Sequence, residues 1–429
     1  MSGAPTTKGV KPFFNVLTAE QAYEQLARLD VLAAERVPSR RSLGRVLAAP
    51  VVAREDVPHF FRSNMDGFAV RAEDTYGAAE TSSVALRLIG EVLMGTEASQ
   101  PIEPGTLIRV STGAMMPPGA DAVVVVEDTE ESGGRVLVRR AVVPGQNTVA
   151  IASDLRAGEV VFEAGHRIRG SDVGVITGVG CCEVSVHRKP VVGVAATGDE
   201  IVEPEDDLPR GRVRNVNQYL LGSMSAATGA TVVDYGVIRD DEAALAKMLA
   251  RAMSECDVLL LSGGSSMGVR DLVLSTIARV PGAEVLFHGI AIAPGKPTLL
   301  ARAGRTAMLG VPGNPASAAV VFALFGRTLI RLREGEHLDR ILLTRPRVRA
   351  RVSQAIASTP GREDYVRVRL EPGGAAGGVA GACDGLPVAV PQRGNSGAIS
   401  TIARADGLLR IPRSVEGFDA GAEVEVLLL

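Results

Sequence analysis

The sequence predicts a multidomain α/β plus β chain, with an α/β unit over residues 189–338 set between β-rich segments. Three observations predict it. Continuous apolar runs such as 191–196 alternate with amphipathic helical stretches through 189–338, the texture of a three-layer, largely parallel sheet. From 51 to 143, and again after Arg340, short alternating runs are broken by Gly, Pro and acidic residues, as in β-rich modules. The 429 residues also exceed what one hydrophobic core supports.

The elements follow in order. Thr18-Ala-Glu-Gln21 reads as a capping box opening a helix whose apolar stripe is Ala22, Leu26, Leu29 and Ala33. Strands are expected at 85–89, 107–110, 122–126 and 136–138, and a helix at 171–179 within the turn-rich stretch 147–188. In the α/β unit, 191–196 reads as a strand buried on both faces, 213–228 as a helix and 231–238 as a strand. Asp240 is placed to cap a helix through Ala252, with Leu245, Met248, Leu249 and Ala252 on its buried side. Residues 258–261, 290–292 and 307–311 read as further buried strands, and Asn314 as the cap of a helix running to about Arg331. The Gly/Ala-rich stretch 373–381 reads as a hairpin tip or loop.

Bulk composition narrows the function. A net charge of −3 and 3% aromatic residues disfavour a nucleic-acid partner and give no general pull toward an anionic membrane. The N-terminal residues 1–11 lack the apolar stretch of a signal peptide, and the most apolar helical stretch, 316–325, falls short of the roughly 18–20 residues that span a bilayer. Cys181, Cys182, Cys256 and Cys383 have no C-x-x-C spacing, so reduced, packed thiols in a cytoplasmic protein are expected. The five histidines show no ligand spacing. Any metal is therefore expected to be a hard one held by carboxylates and phosphate, Mg²⁺ foremost.

The chemistry concentrates in three glycine-containing loops, each after an apolar run: Ser262-Gly-Gly-Ser-Ser266, Ala293-Pro-Gly-Lys-Pro297 and Val311-Pro-Gly-Asn-Pro315. Such loops converge backbone N–H groups on one point and cradle phosphate or another oxyanion. Gly263 and Gly264 allow close backbone approach, Ser265 adds a donor, and Lys296 supplies a point charge between stiffening prolines. Asp271 follows at a distance suited to Mg²⁺ beside a phosphate. Thr197-Gly-Asp-Glu200 closes the first strand, where ligand sites of open parallel sheets lie. Taken singly, each loop also reads as an ordinary turn or helix start.

Taken together and in order, these pieces resemble the MoeA family of molybdopterin molybdenumtransferases, which includes the E domain of gephyrin. The resemblance rests on Ser63-Asn-Met-Asp-Gly-Phe-Ala69, Ser111-Thr-Gly-Ala114, Thr197-Gly-Asp-Glu200, Arg239-Asp240, the loop from Ser262 with Asp271, Pro294-Gly-Lys-Pro297, Pro312-Gly-Asn-Pro315, Gly394-Asn-Ser396 and Ser400. It covers nearly the whole chain from about Leu17.

The resemblance implies an elongated four-domain protomer that dimerises. Residues 1–50 and 147–188 would form a discontinuous domain, 51–146 the β-rich module, 189–338 the MogA-like α/β domain and 339–429 a C-terminal β-barrel-like domain. It implies insertion of molybdenum from molybdate into adenylylated molybdopterin, with Mg²⁺-dependent release of AMP. Catalytic roles would fall to Asp66, Glu200, Asp240, Asp271 and Lys296, with Glu200, Asp240 and Asp271 on the metal. Substrate contacts would fall to Thr112, Asp154, Gly263, Gly264, Ser265, Pro312, Asn314, Pro315, Arg362, Ser396 and Ser400. Asp66 and Thr112 would complete the cleft across a homodimer interface, and a separate molybdopterin adenylyltransferase would be a pathway partner.

Two positions depart from the family pattern. Ala293 stands where a second lysine is common, and Val149 where an arginine is common. Each lost cation–phosphate contact is worth about 1–3 kcal/mol. Two other readings stay open at this point: adenylylation of molybdopterin itself, and a catalytically weakened scaffold or divergent paralogue.

Overall fold

Residues 191–311 build one six-stranded sheet because their apolar runs are long enough to be buried on both faces. The computed structural model describes residues 16–263, 267–373, 385–392, 394–395 and 397–429, and for 267–271 the backbone alone. In the α/β unit the elements are β1 (Val191–Thr197), α1 (Asn217–Ala227), β2 (Thr231–Ile238), α2 (Glu242–Glu255), β3 (Val258–Ser262), α3 (Met267–Ala278), β4 (Ala283–His288), β5 (Leu299–Ala303), β6 (Thr306–Val311) and the long helix α4 (Pro315–Arg333). The strand order is β2-β1-β3-β6-β5-β4. The first four are mutually parallel, and β5 runs antiparallel to both β6 and β4.

Side chains alternate between two cores along every central strand. Val192, Val194, Leu260, Leu309 and Val311 pack on one face with Leu221 of α1 and Val321, Phe322 and Leu329 of α4. Ala195, Leu259, Leu261 and Met308 pack on the other with Leu245, Met248, Leu249 and Ala252 of α2. Three layers follow from that alternation.

Four local expectations change. Residues 290–292 are not a strand of this sheet: Ile292–Ala293 instead pairs with Glu363 and Asp364 of the C-terminal domain. The antiparallel pair β4 and β5 occupies the edge in their place. The helix expected at 213–228 begins only at Asn217, because Val213–Arg214 pairs with Ile201–Val202. Asp241, not Asp240, caps α2, accepting from Ala244 N at 2.8 Å. The apolar stretch 316–325 does not end where its composition changes. It continues through one wide turn, Phe322–Gly326, into a 19-residue helix long and apolar enough to cross a membrane, with 78% of that window buried inside the protein. It is a core helix: Val321, Phe322, Phe325, Leu329 and Ile330 have no exposed surface.

The N-terminal helix Ala19–Ala27 carries the capping box, and its Ala22, Tyr23 and Leu26 join the α/β core, with Tyr23 stacked on Phe325. Ala33 lies beyond the helix end and is exposed, because the chain has by then turned toward the strand Ala34–Pro38. That strand pairs with Glu183–His187, and the helix Gly170–Gly178 packs beside them around Leu47, Ile168, Ile176 and Val186.

Residues 67–138 form a second six-stranded sheet, ordered Ala122–Val125, Gly67–Val70, Thr106–Val110, Val84–Val92, Arg135–Val138, Thr129–Ser132. The C-terminal strands Arg347–Val352, Glu363–Glu371, Val388–Pro391, Gly407–Ile411 and Glu423–Leu428 close into a five-stranded barrel, since Glu363–Glu371 pairs with both Val388–Pro391 and Gly407–Ile411. The loop expected at 373–381 falls, from 374, outside the described residues. Of the cysteines, Cys181 and Cys256 are buried free thiols, but Cys182 is exposed, because it faces outward as the chain enters the strand Glu183–His187.

Candidate active site

The parallel strands end level with one another. Ala196 is paired with Ser262, Ser262 with Val311 and Thr197 with Ile238, so the loops after β1, β2, β3 and β6 leave from one edge. Leu299 pairs with Gly310, so the Pro294–Pro297 loop before β5 reaches the same edge. This is the carboxyl edge, where open parallel sheets bind ligands.

A cavity of about 820 Å³ opens there. Glu200 and Asp240 line one side, and Ser262, Gly263, Gly313, Asn314 and Pro315 the floor. Arg212, Arg214, Asn215 and Asn217 line a further side, while Gly397 and Ile399 reach in from the C-terminal domain.

Backbone geometry makes the floor. Gly263 has φ +115°, and a Cβ there would collide with Thr197 O, so only glycine lets β3 turn this close to β1. Asn217, at the start of α1, ties two of the loops together. Its Nδ2 donates to Ser262 Oγ at 2.6 Å and to Gly313 O at 2.7 Å. Arg214 donates to the carbonyls of Glu203, Pro204 and Asp206, pinning the excursion between β1 and α1 over the cavity mouth.

The acidic side is electrostatically strained. Burial pushes the Asp240 carboxyl above its ordinary pKa, and the charges of Asp199 and Glu200 push it the same way. Its Oδ1 is buried with no hydrogen-bond partner among the described residues. An acceptor-only group in that position, crowded by like charge, suits a hard divalent cation with oxygen ligands. Among the described residues no three His, Cys, Asp or Glu side chains stand together at metal-binding distances. Asp271 lies in α3 among the residues whose side chains are not described.

The structure separates the sequence-predicted residues into groups. Glu200, Asp240, Gly263, Asn314 and Pro315 line the cavity, and buried Pro312 stands in the chain between β6 and Gly313. Lys296 is exposed on its loop and is not part of the cavity lining; Gly295 beside it has φ +124°, and a Cβ there would meet Ile292 and Val321 at 2.7 Å. Arg362 lies apart, exposed and paired with Asp364 at 2.9 Å. Ser400 opens the short helix Ser400–Ala403 next to Ile399. Gly264, Ser265 and Ser396 lie outside the described residues.

Asp66 and Thr112, in the β-rich module, and Asp154, in the stretch after it, are not part of this cavity's lining. There the motifs interlock. Thr112 N donates to Asp66 Oδ1 at 2.7 Å, Gly113 N to Ser63 O at 2.8 Å, and Ser63 N to Ala114 O at 2.9 Å. Arg62–Ser63 pairs with Thr148–Val149, so Val149 stands opposite Arg62. Asp154 is exposed at the end of that same stretch, with its backbone N on Val57 O.

Sequence reasoning missed Arg212, Arg214, Asn215, Asn217 and Ile399. The basic run Arg210-Gly-Arg-Val-Arg214 between a strand and a helix was the available signal. The asparagines carried none, since each reads as a helix start.

The chain is similar to known proteins along most of its length. Residues 17–180 match the MoeA N-terminal region (domain I and II), 193–332 a probable molybdopterin binding domain and 349–429 the MoeA C-terminal region (domain IV). A molybdopterin molybdenumtransferase of Staphylococcus epidermidis is 32% identical over 391 residues, covering 90% of this chain and 89% of that protein. Two crystal structures of the molybdopterin biosynthesis MoeA protein from Pyrococcus horikoshii superpose over nearly the full chain. One has TM-score 0.79 and 34% identity, covering 96% of this chain and 99% of that one; the other has TM-score 0.81 and 29% identity, covering 97% and 100%. The three matched regions, in order and together spanning most of the chain, show that it belongs to the MoeA family of molybdopterin molybdenumtransferases.

Proposed function

We propose that this chain inserts molybdenum from molybdate into adenylylated molybdopterin and releases AMP. The observation that carries the reading is the cavity at the carboxyl edge, which Glu200 and strained Asp240 share with Gly263, Gly313 and Arg212.

The residues divide the work by charge. Gly263 forms part of the cavity floor, where a phosphate would sit, and Arg212 adds a cation that the two departures, Val149 and Ala293, withhold elsewhere. Lys296 supplies a point charge at the same sheet edge for molybdate or a phosphate oxygen. Glu200 and Asp240, with Asp271, would hold Mg²⁺, to which the buried, unpartnered Oδ1 of Asp240 offers a ligand. When bound, that ion neutralises a pyrophosphate and polarises the bond to be broken. Molybdopterin supplies the dithiolene sulfurs, so the protein needs no thiolate ligand for the molybdenum.

Asp66 and Thr112 belong to this reaction through a second copy. In a homodimer the β-rich module of one subunit would cover the cavity of the other, which gives their hydrogen-bonded pair a place at the substrate. The working compartment is the cytoplasm, and a molybdopterin adenylyltransferase would supply the substrate.

The test is AMP release from adenylylated molybdopterin by purified protein, with and without molybdate and Mg²⁺. Molybdate-stimulated, Mg²⁺-dependent release is expected. A folded protein that consumes ATP and adenylylates molybdopterin, or that releases no AMP under any condition, overturns the reading.

A further inference from the structure

The first turn of α1 is tied to three of the strands that end at the carboxyl edge. Asn217, the first residue of that helix, is 7% exposed and lines the cavity. Its Nδ2 donates to Ser262 Oγ at 2.6 Å and to Gly313 O at 2.7 Å. A carbonyl only accepts, so the atom against Gly313 O is the amide nitrogen, and its two protons serve the two acceptors. Gln218, the next residue, donates to the Asp234 carboxylate of β2 and accepts from Asn215 Nδ2 at 2.7 Å. One helical turn thus holds β2, the end of β3 and the chain leaving β6.

What Asn217 spans is the cavity floor. The β3–β6 ladder ends where Ser262 pairs with Val311, with one more backbone bond from Gly263 N to Val311 O at 3.3 Å. Gly313 lies two residues past that end, just before Asn314 and Pro315, where α4 begins. Ser262, Gly263, Gly313, Asn314 and Pro315 all line the cavity. An amide bonded to both segments fixes how far the start of α4 stands from the end of β3. That distance matters electrostatically. The N-terminus of a 19-residue helix carries partial positive charge, and its pull on an anion falls off within the first turn.

We infer that Asn217 is a positioning residue, setting the gap between β3 and α4 in which the substrate's phosphate is held. The inference rests on adenylylated molybdopterin being the substrate. In this role Asn217 meets no reacting atom and acts through Ser262 and Gly313. The floor contacts the phosphate in the ground state and the transition state alike, so losing the bridge weakens binding more than turnover. Leucine has nearly the shape of asparagine but no donor, so Asn217→Leu removes the bridge and keeps the volume. Ser262→Ala removes one contact and leaves the bond to Gly313.

The test is calorimetric titration with AMP, alongside steady-state AMP release from adenylylated molybdopterin. The full-length protein is compared with Asn217→Leu, Ser262→Ala and the double variant, each verified as folded at the assay temperature. In Asn217→Leu, AMP affinity should fall about 10-fold and KM rise by a similar factor, with kcat falling less. Ser262→Ala should weaken AMP binding about 3-fold, and adding it to Asn217→Leu should cost nothing more, because the contact it removes is already gone. A lowered melting temperature with unchanged AMP affinity and KM overturns the inference, as does a loss confined to kcat. Additive losses in the double variant overturn it too. If Asn217→Leu does not fold, unchanged AMP affinity in Ser262→Ala overturns it alone. Wild-type protein that neither binds nor releases AMP overturns the functional reading, and this inference with it.

Discussion

The backbone N–H of Thr112 donates to Asp66 Oδ1 at 2.7 Å, joining two motifs that are 46 residues apart in sequence. The pair sits on a loop cluster of the β-rich module, while Glu200 and Asp240 line a cavity of the α/β unit. If a second subunit brings the two together, Asp66→Asn and Glu200→Gln should each be inactive as homodimers. Mixing and refolding them should restore roughly a quarter of wild-type AMP release, because heterodimers hold one intact site out of two. Absence of any recovery in a verified heterodimer would place Asp66 and Glu200 in the same subunit's site.

Asp240 should behave as a stability cost that function retains. Its pKa is raised by burial and by Asp199 and Glu200, so its ionised form is disfavoured in the folded state. The sign follows: folded protein gains relative stability as pH falls through the raised pKa, and loses it as pH rises. Asp240→Asn should therefore melt a few degrees above wild type near pH 7 without Mg²⁺, roughly 2 °C, with the gap closing toward pH 4. The same variant should lose AMP release by about 100-fold. Thermal melts across pH, with and without Mg²⁺, check both halves.

Gly263→Ala should damage the site without unfolding the chain. The new Cβ meets Thr197 O across the β1–β3 pair, and φ +115° is itself strained for alanine. A cost of about 1–3 kcal/mol is expected, together with a fall in AMP release larger than that stability loss explains. Denaturant melts alongside kinetics would separate the two.

Arg188 and Asp257 should make the acid limb of stability steep. Asp257 is 1% exposed and bound by Arg188 at 2.6 Å and by Val191 N at 2.9 Å. Burial alone would raise its pKa, but those hydrogen bonds outweigh it and hold the carboxyl below its ordinary value. Its contribution is thus present above the unfolded carboxylate pKa, about 4, and is lost as pH falls below it. Arg188→Ala should cost about 3 kcal/mol at neutral pH by stranding the buried carboxylate, and much less near pH 3. Chemical denaturation at both pH values measures the difference.

Much of this was legible in the residues. The run 231–238 is β2, a short β-branched stretch after a glycine, and the stripe Leu245, Met248, Leu249, Ala252 is the buried face of α2, because a period of 3.6 leaves a local mark. The glycine loops were legible for the same reason: a backbone turn after an apolar strand is a short-range feature. Residues 290–292 misled because an apolar run of that length looks alike whether it completes its own sheet or adds to another domain's barrel.

The amino-acid order by itself determined the layered α/β unit, the loops at its carboxyl edge and the identity of the carboxylates, since each depends on neighbours a few residues away. Only the tertiary structure decided which of those groups meet. It set Glu200 and Asp240 in one cavity while leaving Arg362 on Asp364 and Lys296 off the cavity wall. It also joined Ser262 to Gly313 through the amide of Asn217. Such contacts span up to 96 residues, as from Asn217 to Gly313, and no local pattern records them.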